Sequence, residues 1–264
     1  MSEPIRSALA DGVLTVTLAR PEKKNALTVA MYQAMTEALV AAKADAAVRA
    51  VLITGQPGVF TSGNDIEDFM SRGTGGGGGG EGSEDSESPV FRFMRALLDC
   101  DKPVIAKLNG HATGLGATIA LFCDVIFAAE HAKIGDPHVS VGLTAGDGGA
   151  VIWPQLIGYA RAKEYLMTGD LMPAPDAARI GLINHAVPAA ELDARVEAFA
   201  DRLAGGALQA IRTTKLSVNI GLKQLAHSIM DASIGYEGLS NRSHDHQEAV
   251  RAFPQKRTPS FIGR

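Results

Sequence analysis

An α/β core that gives way to an all-helical C-terminal module is the fold class this sequence predicts. Two observations predict it. Short apolar runs closed by glycine or a turn alternate with stretches of helical period through residues 1–187. From Pro188 onward only the helical period remains, so residues 188–264 read as a separate helical module.

The elements follow in order. After Asp11-Gly12, VLTVTLA alternates like a half-buried strand. From Thr28, the residues Met31, Met35, Leu39 and Ala42 recur at helical spacing, and Thr28 is placed to cap that helix. VRAVLITG (Val48 to Gly55) is an apolar run ended by glycine, the pattern of a buried strand. PVIAKLNG (Pro103 to Gly110) is another, followed by a glycine-punctuated turn and a small-residue helix through Ala117 to Phe122. DVIFAA supplies a further strand and LINHAV one more near Leu182. The tail then offers four helical segments: ELDARVEAFADRLA, ALQAIRTTKLSVNI, LKQLAHSIMDASIGYEGL and NRSHDHQEAVRAF. Their apolar faces need the core or a neighbouring subunit to pack on. Ser71 to Ser88 (SRGTGGGGGGEGSEDSES) cannot bury apolar surface and is expected to be a mobile surface loop.

Composition excludes several functions. With 264 residues and 46% hydrophobic content the chain can bury one sizeable core. Its net charge of -4 gives no basic excess for nucleic acid. The start, MSEPIRSALADG, has no apolar export signal, and no apolar run approaches the ~20 residues of a membrane span, so a soluble cytoplasmic protein is expected. Cys100 and Cys123 lack CxxC spacing and read as reduced packing residues. His244 and His246, at i and i+2 of an expected helix, do not share a face, so no metal site is expected there. The Walker pattern is absent, and GxGxxG matches occur only inside the glycine run, where they carry no meaning.

Two glycine-bearing turns hold the chemical interest. VFTSGNDIEDF (Val59 to Phe69) follows the first buried strand and NGHATGLGATIA (Asn109 to Ala120) the second. Each lies where a strand ends and a helix begins, a place where free backbone N–H groups point outward and negative charge is favoured. Glycine there lets a ligand approach the main chain.

Together with LARPEKKNALT (Leu18 to Thr28), the run from Lys102 to Pro137, YLMTGDLMPAPDAARIGLINHAVP and EAVRAFPQKRTPSF, these turns resemble the enoyl-CoA hydratase/isomerase family, the crotonase superfamily, over nearly the whole chain. The resemblance implies a crotonase-like fold, a superhelical core of repeated ββα units with a C-terminal helical module that forms homotrimers or dimers of trimers (hexamers). It implies water addition to an enoyl-CoA, or a shift of its double bond, through a thioester enolate. No cofactor is implied, because CoA is part of the substrate. The oxyanion would sit between the backbone N–H groups of Asn64 and Leu115, where Leu115 adds bulk at a position that is often glycine. Ser62, Asp65, Ile66 and Gly114 would also belong to the substrate (CoA)-binding site. Arg20, Lys23 and Lys24, with Lys256 and Arg257 near the C-terminus, would hold the CoA moiety. Phe69, Met70 and Trp153 are candidates for shaping the acyl pocket, Trp153 more readily as core.

The acid/base equipment departs from the best-known members. Their two glutamates would fall at Thr118 and His138, and neither position carries a carboxylate. Histidine exchanges protons near neutrality, so His138 is the first candidate, with Asp136 two residues earlier able to orient it on an extended segment. Asp147 lies close to where some branches carry an acid, which falls level with Gly146 instead; its other reading is an N-cap for the helix from Gly149. Competing readings are thioester hydrolysis, a lyase step, or a silent acyl-CoA-binding subunit. A dinucleotide-binding oxidoreductase lacks its glycine fingerprint.

Overall fold

The computed structural model describes residues 3–56, 58–65, 67–68 and 88–264. Its strands are β1 (Ile5–Ala10), β2 (Val13–Leu18), β3 (Ala50–Gly55), β4 (Gly58–Thr61), β5 (Val104–Leu108), β6 (Gly110–Thr113), β7 (Val125–Ala129), β8 (Lys133–Gly135), β9 (Met172–Pro173) and β10 (His185–Val187). The helices are α1 (Val29–Ala44), α2 (Pro89–Asp99), α3 (Leu115–Leu121), α4 (Gly149–Thr168), α5 (Ala174–Arg179), α6 (Leu192–Ala204), α7 (Leu208–Asn241) and α8 (His244–Ala252).

Two sheets share these strands. A six-stranded sheet runs β1-β2-β3-β5-β7-β10 and a four-stranded one β4-β6-β8-β9. Each successive pair, β3/β4, β5/β6 and β7/β8, sends its first strand to the larger sheet and its second to the smaller. The chain thus climbs through repeated ββα steps, as a crotonase-like fold requires. The crossings demand glycine: a Cβ on Gly55 would lie 2.4 Å from Val59 O, and one on Gly110 would lie 2.4 Å from Gly58 O.

The main core lies between the sheets and helices α1 to α4. Leu18, Tyr32, Phe60, Phe93, Leu97 and Trp153 are almost wholly buried there, so Trp153 is core. On the other face of the larger sheet, Leu192, Val196 and Ala200 of α6 cover Leu52, Ile105 and Phe127. The sheet is therefore apolar on both faces at β3, β5 and β7, which is why those strands read as continuous apolar runs. Thr28 caps α1 as expected, its hydroxyl accepting from Met31 N–H at 3.3 Å. Cys100 and Cys123 are free thiols in the interior. No described helix is long and apolar enough to cross a membrane.

The structure differs from the sequence expectation in several elements. The two helices expected on either side of Gly221 are one helix, α7, of 34 residues. A solvent-facing glycine costs a helix only about 1 kcal/mol, and tertiary contacts outweigh that. Leu222, Ala226 and Ile229 pack on the core, while Lys215 pairs with Asp124 at 2.7 Å and Lys223 with Asp99 at 2.7 Å. Strands β4, β6 and β8 have only three or four residues each, too few for a period to show. Helix α4 carries Pro154 and a kink at Gly158 (φ 79), which hide its pattern. Apart from Ser88, the loop expected at Ser71 to Ser88 lies outside the described residues, as do Ile66, Phe69 and Met70.

Two substitutions test these backbone arguments by urea unfolding. Gly221→Ala meets open space and is expected to raise stability by about 0.5–1 kcal/mol. Gly110→Ala drives its methyl group into the Gly58 carbonyl and is expected to lower stability by about 2 kcal/mol or more.

Candidate active site

The first turn is bolted to the loop that precedes α1. Asn25 is fully buried in a left-handed conformation (φ 52), and its side chain satisfies three backbone groups. Its Oδ1 accepts from Arg20 N–H at 2.8 Å, and its Nδ2 donates to Val59 O at 3.0 Å and Phe60 O at 3.1 Å. Thr61 Oγ1 donates to Asn25 O at 2.7 Å and accepts from Gly63 N–H at 3.1 Å. Leu27 then bridges the turn, its N–H donating to Gly63 O and its carbonyl accepting from Asp65 N–H, each at 2.8 Å. A parallel bridge of this kind turns the N–H of the intervening residue, Asn64, the other way. The Asn64 side chain is fixed as well, because Tyr32 Oη donates to its Oδ1 at 2.8 Å.

The second turn begins α3. Gly114 has φ 58 and ψ -132, a region in practice open only to glycine, and Leu115 is the first helical residue, whose N–H has no partner within the helix. Gly116 lets α3 approach β4, since a Cβ there would lie 2.4 Å from Thr61 Cγ2. The turns meet at Gly63 (φ 88): a Cβ on it would lie 3.0 Å from Thr113 O and 3.6 Å from Leu115 N. Among the described residues neither the Asn64 nor the Leu115 amide donates to a backbone carbonyl. Two free donors thus stand on adjoining turns.

Beside them lies a buried acid/base cluster. His138 sits on a 3₁₀ turn, Pro137–Val141, and a Cβ on Gly114 would lie 3.9 Å from His138 Cε1. Asp136 bonds His138 Nδ1 and also accepts from His138 N–H at 3.4 Å. Asp136 therefore orients the imidazole, but as the N-cap of a 3₁₀ turn and not through the extended segment the sequence suggested. On the opposite side, Asp147 Oδ2 lies 3.4 Å from His138 Nε2. Asp147 is not a helix cap: α4 is preceded by Gly148, which makes no side-chain capping bond. Burial pulls the His138 pKa down, but the charges of Asp147 and Asp136 outweigh it, so the ring is held as an imidazolium well above its ordinary value. Tyr32 is pushed up by burial and then by the charge of Asp147, which ties the first turn to this cluster.

Sequence reasoning missed Glu237. It lies on α7, 2% exposed, and a Cβ on Gly146 would be 2.8 Å from its Oε2. Five of the eight buried side-chain polar atoms without a hydrogen-bond partner among the described residues belong here: Thr118 Oγ1, Asp136 Oδ2, both Asp147 oxygens and Glu237 Oε1. Buried unsatisfied polar atoms are rare and costly, so their concentration marks a functional site. No local signal on α7 reveals Glu237; its partners lie about ninety residues away in sequence.

The remaining expected contacts fall into two groups. Arg20 is committed to the site's frame, donating to Asp65 Oδ2 at 3.0 Å and to Ala26 O at 2.6 Å. Lys23 pairs with Glu67 at 3.3 Å, and Lys24 and Ser62 are exposed on the same loops. At the C-terminus Lys256 is exposed, while Arg257 is clasped by Glu248. No ion pair among the described residues joins this C-terminal pair to the Arg20 loop. Ligand atoms of Asp136, His138 and Asp147 lie within 4.8 Å of one another. Both imidazole nitrogens already face carboxylates, however, and an imidazolium has no lone pair for a metal. The arrangement is suited to proton transfer.

Comparison with known proteins agrees with this geometry. The family model for Enoyl-CoA hydratase/isomerase matches residues 9–264. A probable enoyl-CoA hydratase of Rhodobacter capsulatus is 34% identical, with 98% of each chain covered. The 1,2-epoxyphenylacetyl-CoA isomerase of Escherichia coli is 32% identical over the full length of both. The crystal structure of carnitinyl-CoA hydratase from Mycobacterium avium superposes with a TM-score of 0.88 at 31% identity, covering 100% of each chain.

The electrostatics are open to a direct check. Nitrogen NMR of the His138 ring is expected to show the imidazolium persisting well above pH 6.5, and Asp147→Asn is expected to lower that transition. Because the folded value lies above the unfolded one of about 6.5, the stability His138 contributes is complete below that pH. It is lost as pH rises through the folded value, and in Asp147→Asn the loss should begin at lower pH.

Proposed function

The chain belongs to the enoyl-CoA hydratase/isomerase family, and from that premise we propose that it moves a proton at the carbon beside the thioester carbonyl of an acyl-CoA. The reaction is water addition to an enoyl-CoA or a shift of its double bond, through an enolate. The meeting of the two turns is the observation that carries this reading. A carbonyl oxygen set between the Asn64 and Leu115 amides gains two preorganised donors, which stabilise an enolate more than a ground-state carbonyl. Each is worth roughly 3 kcal/mol in the transition state. Main-chain donors tolerate any side chain but proline, so Leu115 keeps its N–H while its side chain is buried in the main core.

The proton-transfer roles follow from charge. His138, already protonated, is the acid, and Asp147 on its far side is the base. For hydration, Asp147 takes a proton from the attacking water and His138 gives one to the α-carbon. For isomerisation, Asp147 carries the proton from one carbon to the other while the two amides hold the oxyanion. Asp136 fixes the ring through Nδ1 throughout. This set supplies acid and base without a separate cofactor, CoA being part of the substrate.

Binding of the CoA moiety is assigned to the exposed cations Lys23 and Lys24, with Lys256 and Arg257 reaching the site from a neighbouring subunit of a homotrimer or hexamer. Arg20 acts one step back, by holding Asp65 and so the Asn64 turn. Ser62 and Gly114, which flank the two donor residues in sequence, are assigned to substrate binding. A purely binding role is disfavoured by the buried unsatisfied cluster, which a silent subunit has no reason to keep.

Deuterium exchange at the α-carbon of a saturated acyl-CoA in D₂O tests the enolate step without presuming which reaction completes it. Wild type is expected to exchange, and Asp147→Asn and His138→Gln to lose about 10²–10⁴-fold. Crotonyl-CoA turnover then separates hydration from isomerisation. Tight CoA binding with no exchange on any thioester would overturn the proposal.

A further inference from the structure

We propose that Glu237, brought in by the C-terminal helix α7, is a positioning residue of the acid/base cluster that sets both the placement and the charge of the Asp147–His138 pair. The proposal rests on the assignment of His138 as acid and Asp147 as base.

Placement comes first. The Glu237 carboxyl lies against the backbone immediately before Asp147: a Cβ on Gly146 would stand 2.5 Å from Ser233 O, 2.7 Å from Glu237 Cβ and 2.8 Å from Glu237 Oε2. Only glycine at 146 admits the helix this closely. The same loop is tied to α7 on its other side, where Thr144 N–H donates to Ser240 Oγ at 2.9 Å and Ser240 Oγ donates to Glu237 O at 2.8 Å. Beyond α7, helix α8 holds the His138 turn, with His246 Nδ1 2.8 Å from Val141 O. The loop carrying His138 and Asp147 is therefore gripped by the helical module along its length, and Glu237 is the ionisable member of that grip nearest Asp147.

Charge comes second. The groups that face Glu237 are Asp147, His138 and Asp136, of which only His138 is cationic. The cations of α7 are spent elsewhere, with Arg212 on Asp101, Lys215 on Asp124 and Lys223 on Asp99. Glu237 Oε1 has no hydrogen-bond partner among the described residues. Burial, then the charges of Asp147 and Asp136, push its pKa up to about 9 against the opposing pull of His138. At neutral pH Glu237 is thus a neutral carboxylic acid. It fills the space over Gly146 without adding a third negative charge. Once it ionises, the added charge strengthens the hold of His138 on its proton and weakens it as an acid.

The sign for stability follows from the raised folded value. A carboxyl of this kind contributes fully below its unfolded pKa of about 4.3, and the contribution is lost as pH rises toward about 9. Replacement by glutamine, which cannot ionise, should therefore stabilise the fold in that window. A role limited to hydrogen bonding predicts no such pH-dependent gain.

Three measurements on the full-length chain decide the matter. Difference infrared spectroscopy of wild type should show a protonated carboxyl at pH 7 that titrates away near pH 9 and is missing in Glu237→Gln. The Tm of Glu237→Gln should exceed that of wild type by a margin that widens from about pH 5 to pH 9. In α-proton exchange, Glu237→Ala should lose about tenfold through misplacement of Asp147. Glu237→Gln should recover most of that loss at pH 7, while the alkaline limb near pH 9 disappears. Absence of the protonated carboxyl, or an alkaline limb unchanged in Glu237→Gln, would overturn the proposal. So would a loss of 100-fold or more in Glu237→Gln, which would make the carboxyl itself a proton donor to substrate. Should wild type show no exchange, the assigned reaction fails, yet the infrared and thermal measurements still decide whether Glu237 holds its proton.

Discussion

Contact between two backbone turns, with no side chain between them, is the constraint on which the rest of this molecule depends. Gly63 must be glycine twice over, for its φ of 88 and for the Thr113 carbonyl that would lie 3.0 Å from any Cβ. Gly114 and Gly116 bring the other turn in from α3 on the same terms. The ββα climb explains why these turns adjoin. Strands β4 and β6 are parallel neighbours, so the turns that follow them emerge side by side at one end of the smaller sheet. Asn25 then holds the first turn in place with bonds that β4, only four residues long, could not supply through ladder pairing alone.

A site of this kind is built against the stability of the fold. Among the described residues Thr118, Asp136, Asp147 and Glu237 each leave at least one buried polar atom without a partner, and each such atom costs about 1–3 kcal/mol. The cost is offset at a distance. Tight cores on both faces of the larger sheet, the fully buried Asn25, and Lys102, whose ammonium donates to Val48 O at 2.8 Å and Asp45 O at 3.1 Å, all lie away from the cluster and are well satisfied. The division between a satisfied frame and an unsatisfied centre is what preorganisation for charge transfer looks like before substrate arrives.

Legibility followed the range of the interactions involved. The α/β class, the long apolar strands, the Thr28 cap and the two glycine turns are local patterns, and the sequence displays them directly. The short strands β4, β6 and β8 owe their existence to pairing across the repeat, which no window of three or four residues can announce. Gly221 looked like a helix end because its propensity is local, whereas the contacts that carry α7 through it are tertiary. At the site, Asn64, Leu115 and His138 were legible through motif resemblance and Asp147 only as a neighbour of the motif position at Gly146; the structure brings the two turns and the His138–Asp147 pair together. Arg20 was assigned by resemblance to holding the CoA moiety, and a cation in a loop gives no hint of a protein partner. Its partner is Asp65, forty-five residues away. Glu237 was invisible for the same reason at greater distance.

The histidine shows why partner geometry matters more than residue type. A lone imidazole would be read as a base poised near neutrality, and His138 was weighed in that role. Enclosed between Asp136 at one ring nitrogen and Asp147 at the other, it is instead a cation at neutral pH, so the accepting group has to be a carboxylate. Of the two, Asp136 spends Oδ1 on both the His138 ring Nδ1 and the His138 backbone N–H, which holds it to the role of orienting the ring. Asp147, 3.4 Å from Nε2, has neither oxygen hydrogen-bonded among the described residues, and it is the carboxylate we assign to accept the proton. That freedom has a structural origin. Gly146 and Gly148 flank Asp147, removing the side chains that would otherwise crowd it, and the space is taken up by Glu237 from one side and Thr118 from the other. The proposed base is thus defined by what its two neighbours lack.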